Sequence, residues 1–115
     1  MKKFFAIYRV PVETMQEWKK NTSPEEMKKQ GEQLGKDMMA WTEKHKANLP
    51  ELGWPLGKNK RVTGQGAQDV PNDLNYGCIV EADSHEEAVA IFKDNPHFMI
   101  PTSYVDIMEI PHMGM

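Results

Sequence analysis

At 115 residues the chain is one domain, 1–115, with room for a single core that buries roughly two-thirds of the unfolded surface. Its 17 acidic and 14 basic residues are dispersed and leave a net charge of −3, which argues against nucleic acid or anionic membrane as a partner. The single cysteine, Cys78, cannot close an internal disulfide, and no stretch approaches the ~20 apolar residues that span a bilayer, so a soluble cytoplasmic protein is expected.

Lys3 to Val10 (KFFAIYRV) is aromatic and β-branched and reads as a first strand. Phe4, Ala6, Tyr8 and Val10 share one face, and Phe5, Ile7 and Arg9 the other, so both faces ask for cover. The outline of a signal peptide fails here, because Arg9 and Pro11 interrupt the apolar run and no small-residue cleavage site follows. Val12, Met15 and Trp18 fit a short amphipathic turn or helix. Ser23-Pro24-Glu25-Glu26 then gives a strong helix start, with serine as N-cap, proline in the first turn and a glutamate closing a capping box. Met27, Gly31, Leu34, Met38, Trp41 and His45 follow at alternating steps of four and three, one helical stripe. Gly31 and Gly35 are costly inside a helix, and close approach to a strand would explain them. The helix should end near Ala47, ahead of Asn48-Leu49-Pro50.

Leu49 to Lys60, with two prolines and two glycines, is expected to be a loop, Arg61-Val62-Thr63 a short strand, and Gly64 to Leu74 a turn-rich connection. Asn75 to Ile110 is the clearest stretch. Tyr76, Cys78, Val80 and Ala82 alternate with Gly77, Ile79 and Glu81 as a strand. Ser84 and Glu87 form a second capping box for a helix with Ala88, Ile91 and Phe92 on one side. Asn95-Pro96 stops that helix, and Tyr104 to Ile110 resumes the period of two. The order β-α-β-β-α-β predicts an α+β, ferredoxin-like protomer: a four-stranded antiparallel sheet with both helices on one face. The other sheet face would then be an apolar patch, which two chains can bury by packing sheet to sheet, so a homodimer is expected.

These residues resemble the YCII-related family of the dimeric α+β barrel superfamily over nearly the whole chain. The likeness rests on KKFFAIYRV, the SPEEM helix start, LGWPLGKNKRVTG, YGCIVEADSHEEAVAIFKDNPHF and SYVDIMEI. It implies a ferredoxin-like protomer, a sheet-to-sheet dimer and a cleft between sheet and helices. One branch of that family is associated with a His/Asp pair, the acid in an Asp-Pro segment after the second helix and the histidine on the long first helix. Here Asn95 precedes the proline and Lys36 or a close neighbour holds the helix position. The Asp-Gly-Pro-Phe motif of another branch is replaced by Val70-Pro71-Asn72-Asp73.

His97, just past the helix-stopping Asn95-Pro96, is the candidate acid–base residue, with Asn95 and Phe98 flanking it as ligand-binding positions. The plainer alternative is a histidine that only packs the loop. Met38, Trp41 and His45 share a helix face and would line a mostly apolar pocket, or else be ordinary core with His45 favouring the helix C-terminus. Trp54, in a Gly/Pro loop, would cap the pocket mouth, pack on a partner chain or anchor the loop. Imidazole and thioether recur in His97-Phe98-Met99 and His112-Met113-Gly114-Met115, a soft-ligand pattern of the kind that suits Cu(I), but no two histidines have tight ligand spacing and no metal site is expected. His85 is expected in solvent. Without a phosphate loop, a Cys-x-x-Cys pair or a nucleophile elbow, no cofactor is expected, and Cys78 has no neighbouring base to make it a nucleophile. The expected function is binding of a small organic molecule in the sheet–helix cleft with weak acid–base chemistry at His97. The rivals are a non-catalytic metabolite-binding or regulatory module, and a structural subunit with a partner encoded elsewhere.

Overall fold

A computed structural model describes residues 1–111, so the His112-to-Met115 part of the soft-ligand pattern lies outside the described residues. The elements run β1 (Lys2–Arg9), α1 (Val12–Asn21), α2 (Pro24–Lys44), β2 (Trp54–Pro55), β3 (Lys60–Thr63), β4 (Gly66–Asp69), β5 (Leu74–Ala82), α3 (His85–Ile91) and β6 (Tyr104–Ile110). Single 3₁₀ turns at Lys46–Asn48 and Pro96–Met99 follow the two longer stops. Four strands form one antiparallel sheet in the order β2-β5-β1-β6, which is the ferredoxin-like order.

The local signals act as their chemistry requires. Ser23 Oγ accepts from the Glu26 N–H at 3.1 Å at the start of α2, and Ser84 Oγ accepts from the Glu87 N–H at 3.1 Å at the start of α3. Glu87 reaches back past the cap and accepts from the Asp83 N–H at 3.1 Å. The alternation in β1 and β5 sends Phe4, Ala6, Tyr8, Cys78, Val80 and Ala82 to one face, where Trp41 of α2 and Ala88, Ile91 and Phe92 of α3 and its end cover them. Cross-strand pairs Phe4↔Val80 and Ala6↔Cys78 hold that face together.

Three expectations need correction. The second strand of the sheet is Trp54–Pro55, from the stretch expected to be loop, whereas Arg61 to Thr63 belongs to β3, which pairs with β4 in a separate hairpin. Both strands of that hairpin are exposed throughout, so no apolar alternation could mark β4 inside the expected turn region. Gly31 and Gly35 do not mark a close approach either: a methyl group at either position would meet nothing within 4 Å. The α2 stripe is buried only towards its C-terminal end, at Trp41, with Met27, Leu34 and Met38 half-buried.

Gly53 is the glycine that close packing does require. A Cβ there would overlap the Tyr76 ring, which lies over the chain just before β2. The Gly53→Ala variant is expected to lose about 2 kcal/mol of folding stability, because Tyr76 must leave its packed position beside Tyr8. An unchanged urea midpoint would show that the ring moves aside at no cost.

The opposite sheet face carries rows of apolar residues. Ile79, Phe5 and Met108 pair across β5, β1 and β6, and Trp54, Gly77 and Ile7 pair across β2, β5 and β1. Among the described residues no helix covers these rows, and Trp54, Tyr104, Met108 and Ile110 each remain more than 40% exposed. At one end of this face Arg9 donates to Asp106 at 2.7 Å and Asp73 at 2.8 Å, and Tyr104 Oη donates to Asp73 at 3.1 Å. The chain is flat, 46 × 42 × 21 Å, and its radius of gyration of 16.0 Å exceeds the about 13 Å of a compact domain this long.

Candidate functional site

The helix layer meets the sheet in two places. Between α2 and β5 the cleft is closed: Met38, Trp41, Thr42, Leu49, Tyr76 and Cys78 leave a cavity of about 10 Å³, room for no more than one water. Between α3 and β6 the contact opens into a groove of about 410 Å³. Val89 and Phe92 form one wall and Val105 and Ile107 the other, with Phe98 at the end and Lys93 as its titratable side chain; Asp106 borders it, but its carboxylate turns to the opposite sheet face and Arg9. The sequence explains the shape. α3 is short and Asn95-Pro96 turns the chain away, so the outer half of β6 has no helix lying over it, while its inward residues Val105 and Ile107 still face the helix layer. β-branched walls have few side-chain rotamers, so the groove is preformed.

The residues expected to serve a ligand separate into five environments. Met38 and Trp41 line the small closed cavity. Trp41 is 5% exposed, and its Nε1–H donates to the Ile91 carbonyl and to Asp94 Oδ1, each at 3.2 Å, which ties α2 to the end of α3. His45 lies outside that cavity, its ring tilted against Trp41 at 5.1 Å with Nε2 3.3 Å from Asp94 Oδ1. Trp54 is on the opposite sheet face, since it pairs with Gly77, whose missing Cβ is overlain by Phe5. Phe98 alone of the expected set lines the open groove.

His97 and Asn95 are interior residues, each 4% exposed. The Asn95 carboxamide accepts from the His97 N–H at 2.9 Å and donates to Tyr8 Oη at 2.8 Å. His97 Nε2 is 3.1 Å from the Arg9 carbonyl, which can only accept, so the proton sits on Nε2. Ser103 Oγ donates to the His97 carbonyl at 2.9 Å, fixing the turn into β6. Burial holds the imidazole below its ordinary 6.5, against backbone hydrogen bonds to Arg9 and Tyr104 that pull upward. Burial likewise pushes the Tyr8 phenol up, and lifts the Cys78 thiol to about 11, so neither is a nucleophile near neutrality.

A His/Asp pair is present, one residue before Asn95-Pro96: His45, the residue that caps the end of α2, with Asp94. Lys44 shares the same carboxylate and, with His45, holds it down to about 2. The pair bridges the ends of two helices on the outer surface, and neither cavity is lined by either residue. His85, exposed as expected, bonds through Nε2 to the Ile107 carbonyl at 2.8 Å and so occupies part of the free edge of β6. Among the described residues no group of three or more His, Cys, Asp or Glu side chains could hold a metal ion. No helix among them is long and apolar enough to cross a membrane. The groove residues Val89, Lys93, Val105, Asp106 and Ile107 were not singled out in the sequence, where the inward alternation of β6 and the i, i+3 pair Val89–Phe92 were their only traces.

No family model matches the chain, and no curated protein does. Among solved structures the chain is similar to 5-chloro-2-hydroxyhydroquinone dehydrochlorinase from Burkholderia phenoliruptrix AC1100, in a complex with 2,5-dihydroxybenzoquinone, at 20% identity over 90% of each chain and a TM-score of 0.44. A likeness that distant carries no inference about the ligand or chemistry of this chain.

Proposed function

We propose that this chain is a small-molecule-binding protein of the YCII-related, dimeric α+β barrel kind, which takes an organic ligand into the α3–β6 groove and works as a homodimer through its uncovered sheet face. The groove of about 410 Å³ between rigid apolar walls carries the reading, since it falls in the size range of ordinary ligand sites. The family assignment rests on the sequence motifs together with the strand order. The dimer rests on the apolar rows of the open face and on the flat, extended protomer. Acid–base work at His97 is not needed for this function: its ring is buried and its Nε2–H is committed to a backbone carbonyl, which makes it a tie between β1 and the turn before β6.

Native mass spectrometry of the protein, gently desolvated, tests both halves at once. The expected species is twice the 13.2 kDa chain mass with a small organic molecule retained. In the Val89→Trp variant, which fills the groove from an exposed helix position, the dimer should persist and the retained mass should disappear. A bare monomer, or a retained molecule indifferent to Val89→Trp, would sink the reading.

A further inference from the structure

The groove has a charge asymmetry that its apolar walls do not need. On its own side of the sheet one titratable side chain lines it, Lys93. The Asp106 carboxylate turns to the opposite sheet face, where its Oδ2 accepts from Arg9 Nε at 2.7 Å. The neighbouring Asp94 is taken up by Lys44, His45 and Trp41. Lys93 has no ion-pair or hydrogen-bond partner for its ammonium among the described residues, although it stands next to Asp94 in sequence. The groove therefore presents one uncommitted cation beside a pocket whose remaining contacts are Val89, Phe92, Phe98, Val105 and Ile107.

We infer that the ligand is an aryl monocarboxylate, with its ring between the α3 and β6 walls and its carboxylate on the Lys93 ammonium. The inference rests on the groove being the ligand site. Flat rings suit this geometry, because the exposed Phe98 ring offers an aromatic surface while the β-branched residues give walls that need no reordering. A ligand with a second anionic group is disfavoured, since among the described residues no cationic side chain besides Lys93 lines the groove. A cationic ligand meets Lys93 with like charge. Lys93 is exposed, so its contribution is that of a surface ion pair and sets preference more than absolute affinity.

Calorimetric titration of the full chain with 1-naphthoate, and with the neutral 1-naphthalenemethanol, separates the charge from the groove. Both should bind, naphthoate about two- to fivefold more tightly, and the Lys93→Met variant should bring the two to equal affinity. The variant removes an exposed charge and should fold as the parent does, which its circular dichroism spectrum checks. Equal affinity in the unmodified protein, or a naphthoate preference that survives Lys93→Met, overturns the carboxylate inference while leaving the groove as a site. Failure of both compounds to bind overturns the groove itself, and the ligand class with it.

Discussion

Replacement of His97 by alanine is expected to destabilise the fold by about 3 kcal/mol. The substitution removes a ring packed 5.0 Å from Tyr8, leaves the Arg9 carbonyl without its donor and opens a cavity beside the Asn95 cap. His97→Gln, which keeps a donor at similar reach, should recover part of the loss. Urea unfolding followed by circular dichroism measures both. The titration sign is also fixed. Because the folded state holds the imidazole below its ordinary 6.5, the unfolded chain binds the extra proton first, and stability falls as pH drops below 6.5. Asp94 adds a further loss at lower pH, its contribution present above the ordinary 3.8 and gone as pH falls through about 2. In His97→Gln the slope between neutrality and pH 5 should flatten. If His97→Ala keeps the parental urea midpoint, the residue is free of structural duty and its candidacy for chemistry revives.

The contrast between His97 and the groove explains what could be read from the sequence. Capping boxes at Ser23 and Ser84 and the alternation from Tyr76 to Ala82 are local signals, set by hydrogen bonds and side-chain direction within a few residues, and they positioned the helices and central strands well. Trp54–Pro55 is a two-residue edge strand and β4 is polar, so neither has a periodicity to detect. Site residues are harder for a different reason. Burial of His97 depends on Arg9, Tyr8 and Ser103, which only the fold brings together. The closing of the α2–β5 cleft depends on Tyr76 settling over Gly53, a clash avoided by one missing methyl group. The opening of the α3–β6 groove depends on where α3 stops, which Asn95-Pro96 did announce. What that stop uncovers on β6 was a matter of strand order, and no residue type advertises it.

The uncovered sheet face makes the second large prediction. Ile79 lies in the central row with Phe5 and Met108, away from the Arg9–Asp73–Asp106 cluster at the end of the face. A twofold axis through such a face brings each substitution into the interface twice. Ile79→Arg would place two unpaired guanidinium groups there, each costing about 2 kcal/mol even after partial escape to water. The dimer dissociation constant should therefore rise roughly a thousandfold. Light scattering on a sizing column should find twice 13.2 kDa for the parent at micromolar concentration and 13.2 kDa for the variant. Circular dichroism should stay near-native, because the core of Phe4, Tyr8, Val80 and Phe92 lies on the other side of the sheet. The α3–β6 groove stands on that other side too, so monomeric Ile79→Arg should still bind an aromatic ligand if the groove is complete within one chain. A parent protein that is monomeric at tens of micromolar would remove the dimer, and with it the reason for so apolar a face.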